Sequence, residues 1–106
     1  NELNHFNLGL AHARLQQTNE AIARFREALE IYPDFVEAHN SLGLQLAALG
    51  DLAGARAHYE AALEIQPDFP VALNNLGVVF ARGRRYGDAI NWFEQAVKAD
   101  PKYVEA

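Results

Sequence analysis

The sequence predicts an all-α fold, a solenoid of three stacked helix-turn-helix hairpins, and three observations carry that prediction. Prolines recur at Pro33, Pro67 and Pro101, 34 residues apart each time. Small and aromatic residues keep the same phase, at Gly9, Gly43 and Gly77, at Ala21, Ala55 and Ala89, and at Phe25, Tyr59 and Phe93. Within each unit the apolar positions fall three or four residues apart, which is the period of a helix face and not of a strand. A unit of paired helices this short cannot bury its own apolar face and closes its core only by stacking on its neighbours.

Further columns follow once the chain is aligned on the prolines. Leu8, Leu42 and Leu76 match, as do Ala13, Ala47 and Ala81, then Ala28, Ala62 and Ala96, then Phe35, Phe69 and Tyr103. The units are 2–35, 36–69 and 70–103, and residues 104–106 begin a fourth. The spacing predicts helices over 3–15 and 19–31, 36–48 and 52–65, and 70–82 and 87–99.

Leu49-Gly50-Asp51 reads as the turn inside the second unit, with Asp51 placed to cap the helix that follows. Each proline ends the second helix of its unit, because proline cannot continue a helix. Asp34 is expected to cap the next helix with Glu37 completing a capping box, and Asp68 to cap likewise. Pro70 falls in a first turn, where its missing N–H costs little. Gly9, Gly43 and Gly77 sit mid-helix, where glycine costs about 1 kcal/mol relative to alanine. Close approach of the paired helices is the compensation expected, with Ala21, Ala55 and Ala89 as the facing small surface.

Composition narrows the function classes. The 106 residues suffice for one domain. There is no cysteine, which excludes disulfides and thiolate metal sites. The formal net charge of −5 argues against a nucleic-acid partner, which needs a basic face. The charge is uneven: residues 2–35 carry −2, residues 36–69 carry −4 and residues 70–103 carry +2. No apolar run approaches the roughly 18–20 residues of a membrane span, and no targeting segment is evident, so no membrane partner is expected. Asn1 as first residue and the absence of methionine suggest a segment of a longer protein.

The motif His39-x2-Leu42-Gly43-x2-Leu46, Ala55-x3-Tyr59, Pro67, and its third copy Leu73-x2-Leu76-Gly77-x2-Phe80, Ala89-x3-Phe93, Pro101, resemble the tetratricopeptide repeat (TPR) pattern W-x2-L-G-x2-Y, A-x3-F, P. The resemblance covers residues 2–103. It departs at His5, His39 and Leu73 in the tryptophan column and at His12 and Leu46 in the tyrosine column. It implies a right-handed α-solenoid superhelix whose first helices line a concave groove that binds a protein or peptide. By column, that groove holds Phe6, Asn7, Leu10 and Arg14, then Asn40, Ser41 and Leu44, then Asn74, Asn75, Val78 and Arg82. Leu10, Leu44 and Val78 make an apolar row. The asparagines either hold a peptide main chain, since a carboxamide both donates and accepts, or tie helices together or face water. The asparagines and the Pro-Asp-Phe linkers look like the TPR arms of O-linked N-acetylglucosamine transferases and of bacterial TPR proteins. Chaperone-binding TPRs clamp a terminal carboxylate with cations; the matching positions here are Phe6, Leu10, Ser41, Val71 and Asn75, so no such clamp is expected.

Catalytic, cofactor and metal sites are not expected. His5 and His12 lie two turns apart, about 10 Å by helical rise, too far to share an ion. The plainer reading is that His5 and His39 pack between helices and His58 faces outward. Ser41 and Thr18 are the only hydroxyls of their kinds, and no nucleophile motif surrounds either. Arg82, Arg84 and Arg85 form a basic cluster, readable as a solvated turn or as a lure for an acidic partner. An exposed end face at Ile90, Phe93 and Val97 is expected to favour self-association. The leading expectation is therefore a non-catalytic interaction module within a larger scaffold. The alternatives are the substrate-recognition arm of an enzyme such as a glycosyltransferase, and a self-assembly element.

Overall fold

The structure, a computed structural model, describes residues 1–100. Pro101, Tyr103 and the start of the fourth unit lie outside the described residues. Six helices follow one another: α1 (Glu2–Arg14), α2 (Thr18–Ile31), α3 (Val36–Ala48), α4 (Leu52–Ile65), α5 (Pro70–Arg82) and α6 (Tyr86–Ala99). Every expected boundary falls within one residue of these. Among the described residues there is no strand.

The three intra-hairpin turns are copies of one backbone motif. Gln16, Gly50 and Arg84 occupy one column and all adopt positive φ, at 61°, 85° and 62°. After α3, the Gly50 amide donates to the Ala47 carbonyl and the Asp51 amide to the Leu46 carbonyl, both at 2.9 Å. This pair of bonds satisfies carbonyls that a helix end otherwise leaves open. The Gln16–Gln17 and Arg84–Arg85 amides repeat it on Ala13 and His12 and on Ala81 and Phe80. Only the middle turn has glycine at this position, the residue for which the conformation carries no Cβ penalty.

Asp51 caps α4 as expected, its Oδ1 accepting from the Gly54 amide at 2.9 Å. Pro70 opens α5. Asp34 and Asp68 do not cap. Phe35 and Phe69 are the N-cap residues of α3 and α5, and neither cap has a side-chain bond. The reason is packing: Phe35 turns its ring onto Phe6, with centroids 4.8 Å apart, which leaves Asp34 one residue short of the helix amides.

The helical glycines mark a close approach of paired helices, as expected, and the groups nearest to them belong to the aromatic column of the second helix. A Cβ on Gly9 would meet the Phe25 ring, on Gly43 the Tyr59 ring and on Gly77 the Phe93 ring. Glycine clears a seat on the first helix for a ring carried by the second. Ala21, Ala55 and Ala89 are buried in the same core cluster as Phe25 and Tyr59.

Phe25, Leu42, Tyr59 and Leu76 are the largest fully buried side chains, and they join the hairpins into one core. Burial of such a side chain is worth about 1.5–3 kcal/mol, more than the helix penalty of the glycine that seats it. Leu8, in the column of Leu42 and Leu76, is exposed.

Candidate functional site: the face of the first helices

Helix contacts define an inner and an outer side. α1 touches α3 and α3 touches α5, whereas α2 does not touch α4, nor α4 touch α6. First helices converge and second helices spread, which is the geometry of a stack curved toward α1, α3 and α5.

On those first helices three apolar residues of one column stay open to water. Leu10 is 36 % exposed, Leu44 44 % and Val78 42 %. The alanines beside them, Ala13, Ala47 and Ala81, are half-buried against the core. Arg14 and Arg82 are exposed at the turn end of the row, Asn7 is exposed, and Ser41 and Asn74 are half-buried. Arg82 also bears on the core below. Burial pushes the Tyr59 hydroxyl up to about 12, and the positive charge of Arg82 opposes that rise without overcoming it.

Three expected groove residues are engaged in holding helices together. Asn40 is only 7 % exposed, and its Oδ1 accepts from Asn75 Nδ2 at 2.9 Å, joining α3 to α5. Phe6 packs its ring against Phe25 and Phe35. The asparagine row is thus divided, with Asn7 exposed, Asn74 half-buried, and Asn40 and Asn75 in the joint between helices.

His58 is not an outward-facing residue. It is half-buried, and its Nδ1 lies 3.2 Å from Nδ1 of His39. The column that holds His58 also holds Arg24 and Trp92, and the column of His39 holds Leu73. Reading 58 and 92 together was the signal that this position faces the first helix of its own hairpin. His5 Nδ1 stands 3.3 Å from Glu27 Oε2, an ion pair when the ring is protonated. Among the described residues no group of three or more His, Cys, Asp or Glu side chains is placed to hold a metal ion, and no helix is long and apolar enough to cross a membrane.

A second cluster, at the junction of α4 and α5, escaped the sequence reading. Arg56 and Arg85 place their guanidinium carbons 5.0 and 4.9 Å from the centroid of the Phe80 ring. Trp92 lies nearly parallel to that ring, 6.2 Å away. The available signal was Arg56 itself, which interrupts a column otherwise made of Ile22 and Ile90.

Comparison with known proteins agrees with this architecture. Two tetratricopeptide repeat family models match, over residues 6–70 and residues 46–106. The chain belongs to the tetratricopeptide repeat family. Among curated proteins none matches it. Solved structures similar in fold include MamA, at 22 % identity and TM-score 0.90 over 99 % of this chain and 61 % of that one. YrrB, described as a TPR protein with an unusual peptide-binding site, is 26 % identical at TM-score 0.90, over 98 % of this chain and 54 % of that one. The first TPR of Spaghetti (RPAP3), bound to the HSP90 peptide SRMEEVD, is 15 % identical at TM-score 0.91, over 94 % and 79 %. The chain spans about three fifths of the length of MamA.

Proposed function

We propose that this chain is a protein-interaction module that takes a peptide or protein segment against the inner face of α1, α3 and α5, as one part of a larger scaffold or assembly protein. The observation that carries the reading is the row of Leu10, Leu44 and Val78, apolar and exposed at the same position of three successive inner helices. Contiguous exposed apolar surface rimmed by polar groups marks interaction sites. Asn7 and Asn74 flank the row, and Arg14 and Arg82 close its turn end. A partner segment with small or apolar side chains fits this surface. A carboxylate-terminal tail clamped by cations does not, because Phe6, Leu10, Ser41, Val71 and Asn75 stand where the clamp would need them.

The test is affinity capture with the full-length parent protein, followed by titration of the captured segment against the wild type and Leu44→Glu. A carboxylate in mid-row should abolish binding while the helical content stays unchanged. Equal affinity for both proteins would rule the inner face out.

A second reading, self-assembly, is favoured by α6, where Ile90 is 56 % and Val97 41 % exposed. Light scattering at increasing concentration separates the two: a mass that stays that of one chain counts against self-assembly and leaves peptide binding intact.

A further inference from the structure

We propose a second, anion-selective docking site at the junction of α4 and α5, which takes an apolar side chain together with a neighbouring carboxylate from an acidic protein segment. A cleft of about 220 Å³ opens there, floored by Leu52, Ala53, Val79 and Phe80 and flanked by Arg56 and Arg85. Both guanidiniums therefore border one opening above one ring.

The repeat itself supplies the control. Shifted back by one unit, Arg56 becomes Ile22, Phe80 becomes Leu46 and Arg85 becomes Asp51. At that junction Ile22 and Leu46 are buried in ordinary apolar packing. The fold thus accepts isoleucine at the Arg56 position and does not need a cation there. Stability does not favour the arginine either. A cation over an exposed-site ring is worth about 0.5–1 kcal/mol, and full burial of an isoleucine about 1.5–3 kcal/mol. What arginine adds is charge and a planar set of donors suited to a carboxylate.

Each arginine already has an acidic neighbour. Arg56 Nε donates to Glu60 Oε2 at 3.1 Å, and Arg85 Nη2 lies 2.7 Å from Asp88 Oδ2. A guanidinium carries five N–H donors, so one contact on each leaves capacity for a bridging carboxylate. Arg82 and Arg84 add positive charge on the same turn, in the only unit whose charge is positive, at +2 for residues 70–103. Charge complementarity therefore selects an acidic partner, and the Leu52, Val79 and Phe80 floor selects an apolar residue beside the acid.

Trp92 is the only tryptophan in the chain and lies over Phe80, so its emission reports on this cleft. The probe is the blocked peptide acetyl-AELEA-amide, titrated beside its neutral counterpart acetyl-AQLQA-amide. The expected result is a saturable change in Trp92 emission with the acidic peptide. The neutral peptide and the Arg85→Gln protein should each bind roughly tenfold more weakly, the worth of one charge-assisted hydrogen bond. Arg56→Ile should lose the same affinity while melting no lower than the wild type, because hairpins one and three already carry isoleucine there. Leu44→Glu should leave this binding unchanged, which separates the cleft from the inner face. No saturable change, equal affinity for the two peptides, undiminished affinity of Arg56→Ile, or a lower melting temperature for Arg56→Ile would each overturn the proposal.

Discussion

His39 and His58 meet nitrogen to nitrogen, Nδ1 to Nδ1 at 3.2 Å, and the other nitrogen of His39, Nε2, lies 2.8 Å from the Pro33 carbonyl oxygen. A carbonyl only accepts, so His39 carries its proton on Nε2. Its Nδ1 is then bare and accepts from His58 Nδ1–H. The arrangement requires both rings neutral or one added proton on His58; a proton on His39 Nδ1 sets two N–H groups against each other.

A pH dependence of stability follows. The pKa of His58 is lowered, first by burial and then by the repulsion it would meet from a protonated His39 and from Arg26. A depressed histidine binds fewer protons folded than unfolded, so the stability it supplies is complete above the ordinary histidine value of 6.5 and declines as pH falls below it. Thermal melting between about pH 8 and about pH 5, which spans the range around an ordinary histidine, should show a falling Tm on the acid side. The double variant His39→Leu with His58→Trp, which copies Leu73 and Trp92 of the third hairpin, should flatten that slope. An unaltered slope would remove the pair from the account.

The glycine seats give a steric prediction. A Cβ on Gly43 would lie 2.5 Å from Tyr59 Cε1 and 2.8 Å from Cδ1. Gly43→Ala should destabilise by about 1–3 kcal/mol, the usual range for overpacking. Gly83→Ala, whose nearest neighbour would be the Phe80 carbonyl oxygen at 3.6 Å, should change stability by less than about 0.5 kcal/mol. Urea denaturation of the two variants makes the comparison.

The turn column predicts a gain. Gln16 holds a φ of 61° where Gly50 holds 85°. The left-handed conformation costs a side-chain-bearing residue about 1–2 kcal/mol, and glycine returns about 0.5–1 kcal/mol of that as backbone entropy. Gln16→Gly should therefore stabilise by about 0.5–1 kcal/mol, visible as a raised urea midpoint with an unchanged slope.

The Asn40–Asn75 bond is testable as a coupled pair. Each single alanine variant should lose about 1 kcal/mol, and the double-mutant cycle should return a coupling of roughly 0.5–1.5 kcal/mol. Asn7→Ala, on an exposed residue, should be neutral. A coupling of zero would return Asn40 and Asn75 to the partner-binding surface.

Most of the fold was legible because it is periodic. Pro33 and Pro67, the glycine column and the turn at Leu49-Gly50-Asp51 fixed six helices, and each boundary held to within one residue. What stayed hidden depended on where side chains turn in three dimensions. Asp34 and Asp68 carry the right chemistry for caps, but the rings of Phe35 and Phe69 set the chain one residue out of place for it. The glycines announced close approach without saying that Phe25, Tyr59 and Phe93 fill the space. Within the candidate site, Leu10, Leu44 and Val78 were picked out by column together with the family resemblance, and all three are exposed. The division of the asparagines was not legible, because Asn40 and Asn75 occupy neighbouring columns and meet only through the stagger of α3 on α5.

The pattern of helix contacts has a consequence for how the molecule opens. Each helix meets only its near neighbours along the chain, so the free energy of the fold is distributed in slices. Among the described residues the hairpin of α3 and α4 is the one covered on both flanks. Amide hydrogens there, those of Leu42 and Tyr59 among them, should exchange with deuterium most slowly, and protection should fall toward α1 and α6. The outer hairpins can then loosen and close again while the middle one keeps the register of the whole.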